Sequence, residues 1–120
     1  MIRVAREKGE LRVVDDITMS PTGTADVAAS VLSLIRRGAD PGVYHVVNSG
    51  PATWFQFARR IVERAGVKAR VSPVSSAEYP TVARRPAFSV LDNRKVAAAA
   101  GALPPWEDAL DRYLEAKGYR

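Results

Sequence analysis

The chain has 120 residues, 47% apolar and 26% charged, with 8 Gly and 8 Pro, the proportions of one globular domain long enough to bury a core unaided. It holds no Cys and a single His, which excludes disulfide frameworks, thiolate zinc sites, cysteine nucleophiles and His-rich metal centres. Lys and Arg outnumber Asp and Glu 18 to 13, a net charge of +5, which hints at nucleic acid, phosphate esters or an acidic neighbour as partner.

The basic residues come as separate pairs, Arg36-Arg37, Arg59-Arg60, Arg84-Arg85 and Arg94-Lys95, with acidic residues between most of them. Such pairs read as solvated helix faces, so no nucleic-acid partner is expected. The N-terminus lacks a signal-peptide apolar region, and the longest apolar run, Val96 to Ala100, is too short to span a bilayer. The expectation is a cytoplasmic protein with no membrane partner.

Leu11 to Val14 predicts a short strand ending in Asp15-Asp16, and Ser20-Pro21-Thr22-Gly23 breaks the chain after it. Val27, Val31, Leu34 and Ile35 then recur at helical spacing, with Ala28 and Leu32 widening the stripe. Asp26 suits the first turn of that helix, Arg36 and Arg37 its last, and Gly38 ends it. After the Asp40-Pro41-Gly42 turn, Val43 to Val47 is β-branched and aromatic, apolar on both faces, and predicts a strand buried in a sheet.

Asn48-Ser49-Gly50-Pro51 closes that strand, and Thr53 with Gln56 forms a capping box. The helix it opens carries Trp54, Phe57, Ala58, Ile61 and Ala65 on one face and stops at Gly66. Arg70 to Val74 predicts an edge strand because of Pro73. Ser75 to Pro86 reads as a long ordered loop, a frequent home of functional residues, and Ala87 to Leu91 as a brief extended piece. Asp92 suits the cap of a helix through Ala100, and Pro104-Pro105 opens a last helix with Trp106, Ala109, Leu110, Tyr113 and Leu114 as its stripe.

The fold class is therefore α/β, a single unit over residues 1–120 with few short strands and about four helices. Val43 to Val47 asks for neighbours on both edges and cover on both faces, and only three or four short strands are at hand. The expectation is a piece of something larger, with an exposed edge open to self-association.

Five segments in order resemble a known family. Val13-Val14-Asp15-Asp16, Ser20-Pro21-Thr22 and Asp26-Val27-Ala28 are similar to its "DDQ-x-G-S-P-T … D-L-A" segment. Gly42 to Gly50 is similar to its "G-x-Y-H-x-x-N-x-G" strand, and Trp54 to Ala58 to the helix start after it. Ala83 to Asn93 resembles its "R-P-x-x-S-x-L-D/N" loop, and Leu103 to Leu110 its closing helix. The family is dTDP-4-dehydrorhamnose reductase, of the extended short-chain dehydrogenases/reductases.

The resemblance implies the C-terminal, dTDP-sugar-binding region of an enzyme in which NADPH reduces a C4 ketone to give dTDP-rhamnose. No G-x-x-G-x-x-G follows a strand, and the family's catalytic Tyr-x-x-x-Lys belongs to the part not matched. The N-terminal dinucleotide-binding half is thus expected to be absent, no NADPH to be bound by this chain alone, and the chain to be inactive alone. Ile17 and Met19 stand where the family usually has Gln and Gly. A stand-alone, non-enzymatic α/β module binding a nucleotide sugar or a protein is the alternative.

For substrate binding, Arg84 and Arg85 lead: guanidinium forks take phosphate bidentately, and the resemblance implies a place near the dTDP-sugar pocket. The plainer reading is one exposed and one salt-bridged Arg. Ser20 and Thr22 mark a rigid turn before a helix, with capping by Thr22 or Thr24 as the plainer role. Asn48 ends a strand, where α/β sheets present ligand-facing residues, and ordinary turn chemistry is its alternative. His45 reads as a hydrogen-bonded core residue, and Trp54 and Trp106 as core anchors, with base stacking as the alternative. Tyr113-x-x-x-Lys117 has the spacing of a catalytic pair but reads as a core Tyr beside an exposed Lys. No catalytic or metal-binding residue is expected here.

Overall fold

The computed structural model describes residues 1–79, 81–83 and 85–119. It opens with a helix for which the sequence carried no expectation, α1 (Ile2–Lys8), closed by Gly9 at φ 67°, a left-handed conformation that glycine adopts freely. Strand β1 (Glu10–Val14) follows and pairs in parallel with β4 (Arg70–Val74), placing Leu11 opposite Val71 and Val14 opposite Val74. Arg70 N donates to Gly9 O and Asp15 N to Val74 O, lengthening the ladder at both ends. A second small sheet joins β2 (Thr18–Met19) antiparallel to β3 (Ala52–Thr53), and Thr18 bridges Phe88 on its other side.

Helices α2 (Thr24–Arg36), α3 (Trp54–Arg64), α4 (Arg94–Ala100) and α5 (Trp106–Ala116) complete the architecture. The described residues thus hold five α-helices, where the sequence predicts about four. The Thr53 capping box forms as expected: Gln56 N donates to Thr53 Oγ1 at 3.1 Å and Thr53 N to Gln56 Oε1 at 2.9 Å. At α2 the expected threonine cap is corrected. The N-cap is Gly23, without a side-chain cap bond, and its amide is taken by Asn48 Oδ1 at 2.7 Å. Asp92 sits one residue before the N-cap of α4, where its Oδ1 accepts the Arg94 amide at 2.9 Å.

Helix α3 is two-sided. Ile61 packs with Ala52, Trp106, Leu110 and Leu114, while its neighbour Val62 packs with Ala5 and Leu11. Successive helical side chains point about 100° apart, so one helix serves both clusters. Arg60 and Arg64 both pair with Asp111, fastening α3 to α5.

The predicted sheet strand at Val43 to Val47 is not formed. Among the described residues none of its backbone groups joins another backbone group, and Val43 is 77% exposed. The cause is topological: β1 and β4 pair with each other elsewhere, leaving this segment without a ladder. Side chains hold it from one side only, Lys95 Nζ donating to Val43 O at 2.9 Å and Asn93 Nδ2 to Val47 O at 3.0 Å. Three further expectations are corrected. His45 is exposed, Tyr113 is exposed with Lys117 Nζ 5.8 Å from its ring centroid, and Trp54 is only partly covered.

Candidate functional site

The C-terminal ends of β1 and β4 are where a parallel α/β arrangement places its ligands. There the chain forms an open groove of about 910 Å³, with Arg12, Val14, Ile17, Trp54, Tyr79 and Arg85 on its walls. One wall is the 3₁₀ turn Ser76–Glu78 that follows β4. It is stapled to the end of β1 from two sides. Ser76 N donates to both oxygens of Asp16 at 3.0 Å, Ser76 Oγ adds a bond of 2.9 Å and Ser75 Oγ one of 3.2 Å. Glu78 pairs with Arg12.

The Asp16 carboxyl is held below its usual range, first by the Ser76 amide, which outweighs the opposing desolvation, with the two seryl hydroxyls adding to it. Tyr79 follows the turn, and its hydroxyl donates to Arg12 O at 3.5 Å. Trp54, at the N-terminus of α3, also lines the groove. Its ring is edge-on to Phe57 at 6.4 Å, and Phe57 in turn lies 5.8 Å from the ring of Trp106. The Trp54 side chain therefore rests on the core through another aromatic ring.

The sequence-selected residues do not converge on one surface. Arg85 lines the groove, and Arg84 lies outside the described residues. Ser20 Oγ accepts the Leu91 amide at 3.1 Å, and Thr22 Oγ1 donates to Ser20 O at 3.0 Å while accepting the Asn48 amide at 3.3 Å. Thr22 lines a separate apolar cavity of about 580 Å³ between α1, α3 and α5.

Asn48 is 1% exposed. Besides accepting from Gly23 N, its Nδ2 donates to Asp26 Oδ2 at 2.8 Å and to Pro104 O at 3.0 Å. Its place is a junction of three segments, from which it acts on neighbouring surfaces by positioning them. Arg112 donates to both Asp26 oxygens, at 3.0 and 2.8 Å, and holds that carboxyl below its usual range, with Asn48 assisting.

Sequence reasoning did not select Arg12, Asp16, Tyr79 or Trp54 as site residues. The available signals were a breaker-rich loop carrying an aromatic residue and acidic residues at a strand end. The β1 exit is Asp15-Asp16 rather than a glycine turn, so the glycine cradle that brings backbone amides to a dinucleotide's pyrophosphate is not formed at that exit.

Residues 1–118 match the RmlD substrate binding domain family, and the chain belongs to that family. It is 41% identical over 115 residues to the spore coat polysaccharide biosynthesis protein SpsK of Bacillus subtilis, the match covering 96% of this chain and 40% of that protein. It is 41% identical over 119 residues to dTDP-4-dehydrorhamnose reductase of Mycobacterium tuberculosis, covering 97% of this chain and 39% of that one. Among solved structures, dTDP-4-dehydrorhamnose reductase from Bacillus anthracis in complex with NADP superposes with a TM-score of 0.87. That match is 35% identical and covers 96% of this chain and 41% of that one. The fold is thus the α/β arrangement found within dTDP-4-dehydrorhamnose reductases, and the chain spans about 40% of the length of the curated relatives it matches.

Proposed function

We propose that this chain is the substrate side of an NADPH-dependent dTDP-4-dehydrorhamnose reductase, acting in dTDP-rhamnose formation and inactive by itself. Membership of a substrate binding domain family supports the assignment. The observation that carries it is the groove at the ends of β1 and β4, with the Arg85 guanidinium on its wall. A dTDP-sugar presents a diphosphate, which a guanidinium fork binds through paired charge-assisted hydrogen bonds.

NADPH and the proton donor are assigned to protein outside residues 1–120. The Bacillus anthracis relative is an NADP complex, whereas no G-x-x-G-x-x-G follows a strand in this chain. In this reading the chain binds and orients the nucleotide sugar, and hydride transfer takes place at its border with the dinucleotide-binding part.

Calorimetric titration with dTDP tests the reading. Arg85→Ala is expected to weaken binding about tenfold or more, matching charge-assisted bonds worth roughly 1.5–3 kcal/mol. Arg85→Lys restores part of the loss, because an ammonium keeps the charge without the planar fork. Arg36→Ala, at the far end of α2, leaves binding unchanged. Equal, small losses at Arg85 and Arg36 reduce the groove to generic basic surface and remove the assignment.

A further inference from the structure

A strand is ordinarily held by the ladder it shares with a neighbour, and residues 43–47 lie without one among the described residues. The start of α4 stands in for the missing partner. Asn93 Nδ2 donates to Val47 O at 3.0 Å and to Ser49 Oγ at 3.2 Å, and Lys95 Nζ donates to Val43 O at 2.9 Å. The two fastenings differ in kind. At the exit, Val47 and Asn48 are buried, and the Asn48 side chain is bonded into the α2 entry and the loop before α5. At the entry, Val43 and His45 are exposed, and Lys95 holds the chain in three ways. Its ammonium donates to Val43 O and stands 4.4 Å from the centroid of the Tyr44 ring, within cation–π range. Gly42, at φ 152°, leaves room for it, since a Cβ there would lie 3.0 Å from Lys95 Nζ. The Tyr44 hydroxyl donates to Asp40 O at 2.8 Å, which sets the ring beside the preceding turn. One cation thus gathers Gly42, Val43 and Tyr44.

Exposed contacts of this kind open readily, whereas a buried, fully bonded amide such as that of Asn48 does not. We propose that residues 42–47 form a strap with one fixed and one releasable end. Lys95 is the latch, and Gly42 to His45 lift from α4 about Val47 while the core stays folded. The charge of the ammonium closes the latch, because the ring face and the carbonyl both attract a cation, and a neutral side chain of similar length offers no such attraction.

Limited proteolysis of the full chain reads the opening, because cleavage of a folded protein follows the population of the open form when opening and closing are fast. Chymotrypsin cuts after Tyr44, inside the strap, and after Phe88, an exposed residue outside it that serves as internal reference. Lys95→Met keeps the length and removes the charge. It is expected to raise the rate after Tyr44 about fivefold or more, the combined scale of an exposed cation–π contact and one charge-assisted hydrogen bond, and to change the rate after Phe88 less than about twofold. Lys95→Arg keeps a cation in reach and holds the rate after Tyr44 below about twice that of wild type. Lys117→Met, which removes the cation beside the Tyr113 ring on α5, leaves it unchanged. In the wild-type chain the Tyr44 ring current should move the Lys95 ε-methylene proton resonances upfield, and Tyr44→Leu should return them.

A rise after Tyr44 smaller than fivefold in Lys95→Met, or one matched after Phe88, overturns the latch: the strap is then held elsewhere, or the whole fold has loosened. Lys95→Arg as open as Lys95→Met shows that charge is not the hold and overturns it too. Should Lys95→Met fail to fold, the ring-current shift decides. Its presence in wild type and loss in Tyr44→Leu support the latch, and its absence from wild type overturns it.

Discussion

Asn48 shows how one side chain organises segments distant in sequence. Its amide joins the α2 entry, the Asp26 carboxylate and the loop before α5, all at a buried point. Removing it leaves the Gly23 amide and the Pro104 carbonyl short of a partner, so Asn48→Ala is expected to cost about 2–4 kcal/mol in urea unfolding. A loss below about 1 kcal/mol shows that water takes over those bonds. Asp16 makes a prediction with a definite sign. Its folded pKa is lowered, chiefly by the Ser76 amide, so its bonds are complete above the ordinary carboxylate value near about 4 and are lost as pH falls through the lower folded value. The Ser76 amide resonance should move in that acid range and stay fixed near neutrality, and Asp16→Asn should abolish the movement. A Ser76 shift insensitive to acid would remove Asp16 as the staple of the groove wall. Neither role was legible beforehand. An Asn after a strand reads equally as ligand-facing or as turn chemistry, and only the partners of its amide separate the two.

At the scale of elements, local chemistry was legible wherever one segment decides its own state. The Thr53–Gln56 box, the stops at Gly38 and Gly66 and, Tyr113 apart, the stripe of α5 all depend on neighbours a few residues away. Val43 to Val47 failed for the opposite reason. β-branched residues fit a pleated, covered surface, but a strand exists only with a partner, and composition does not name one. Helix α1 escaped notice because seven residues give too short a window for periodicity. The unpaired segment has a consequence for solution behaviour. Its backbone, bonded to no other backbone group among the described residues, and its exposed Val43 are open to strand addition by a second copy. The isolated chain is expected to sediment with concentration-dependent mass, and Val43→Lys, a charge at the edge, should shift it toward monomer without lowering its melting temperature by more than a few degrees. A strictly monomeric wild-type chain over the micromolar range contradicts this.

The whole molecule is thin. Its principal extents are 50 × 35 × 19 Å, and its radius of gyration of 16.4 Å exceeds the about 14 Å typical of a compact chain of this length. Helix α2 leaves Val31, Leu32 and Ile35 exposed, so the stripe that was legible as a buried face lacks cover among the described residues. A slab with an unpaired edge and an open apolar helix face is the form expected of one side of a larger body, in keeping with a chain that spans about 40% of its relatives. The last prediction therefore concerns activity. Alone, the chain should oxidise no NADPH in the presence of dTDP-4-dehydrorhamnose, since its sequence carries no glycine-rich dinucleotide turn and its Tyr113–Lys117 pair sits exposed on α5. Fused to the part of the Mycobacterium tuberculosis reductase that it does not cover, it should give turnover, with Arg85→Ala raising KM more than it lowers kcat because the diphosphate is bound alike in ground and transition states. In that fusion Tyr113→Phe should leave kcat within about twofold. Turnover by the unfused chain, abolished by Tyr113→Phe, would instead make Tyr113 the proton donor and this slab a reductase in its own right.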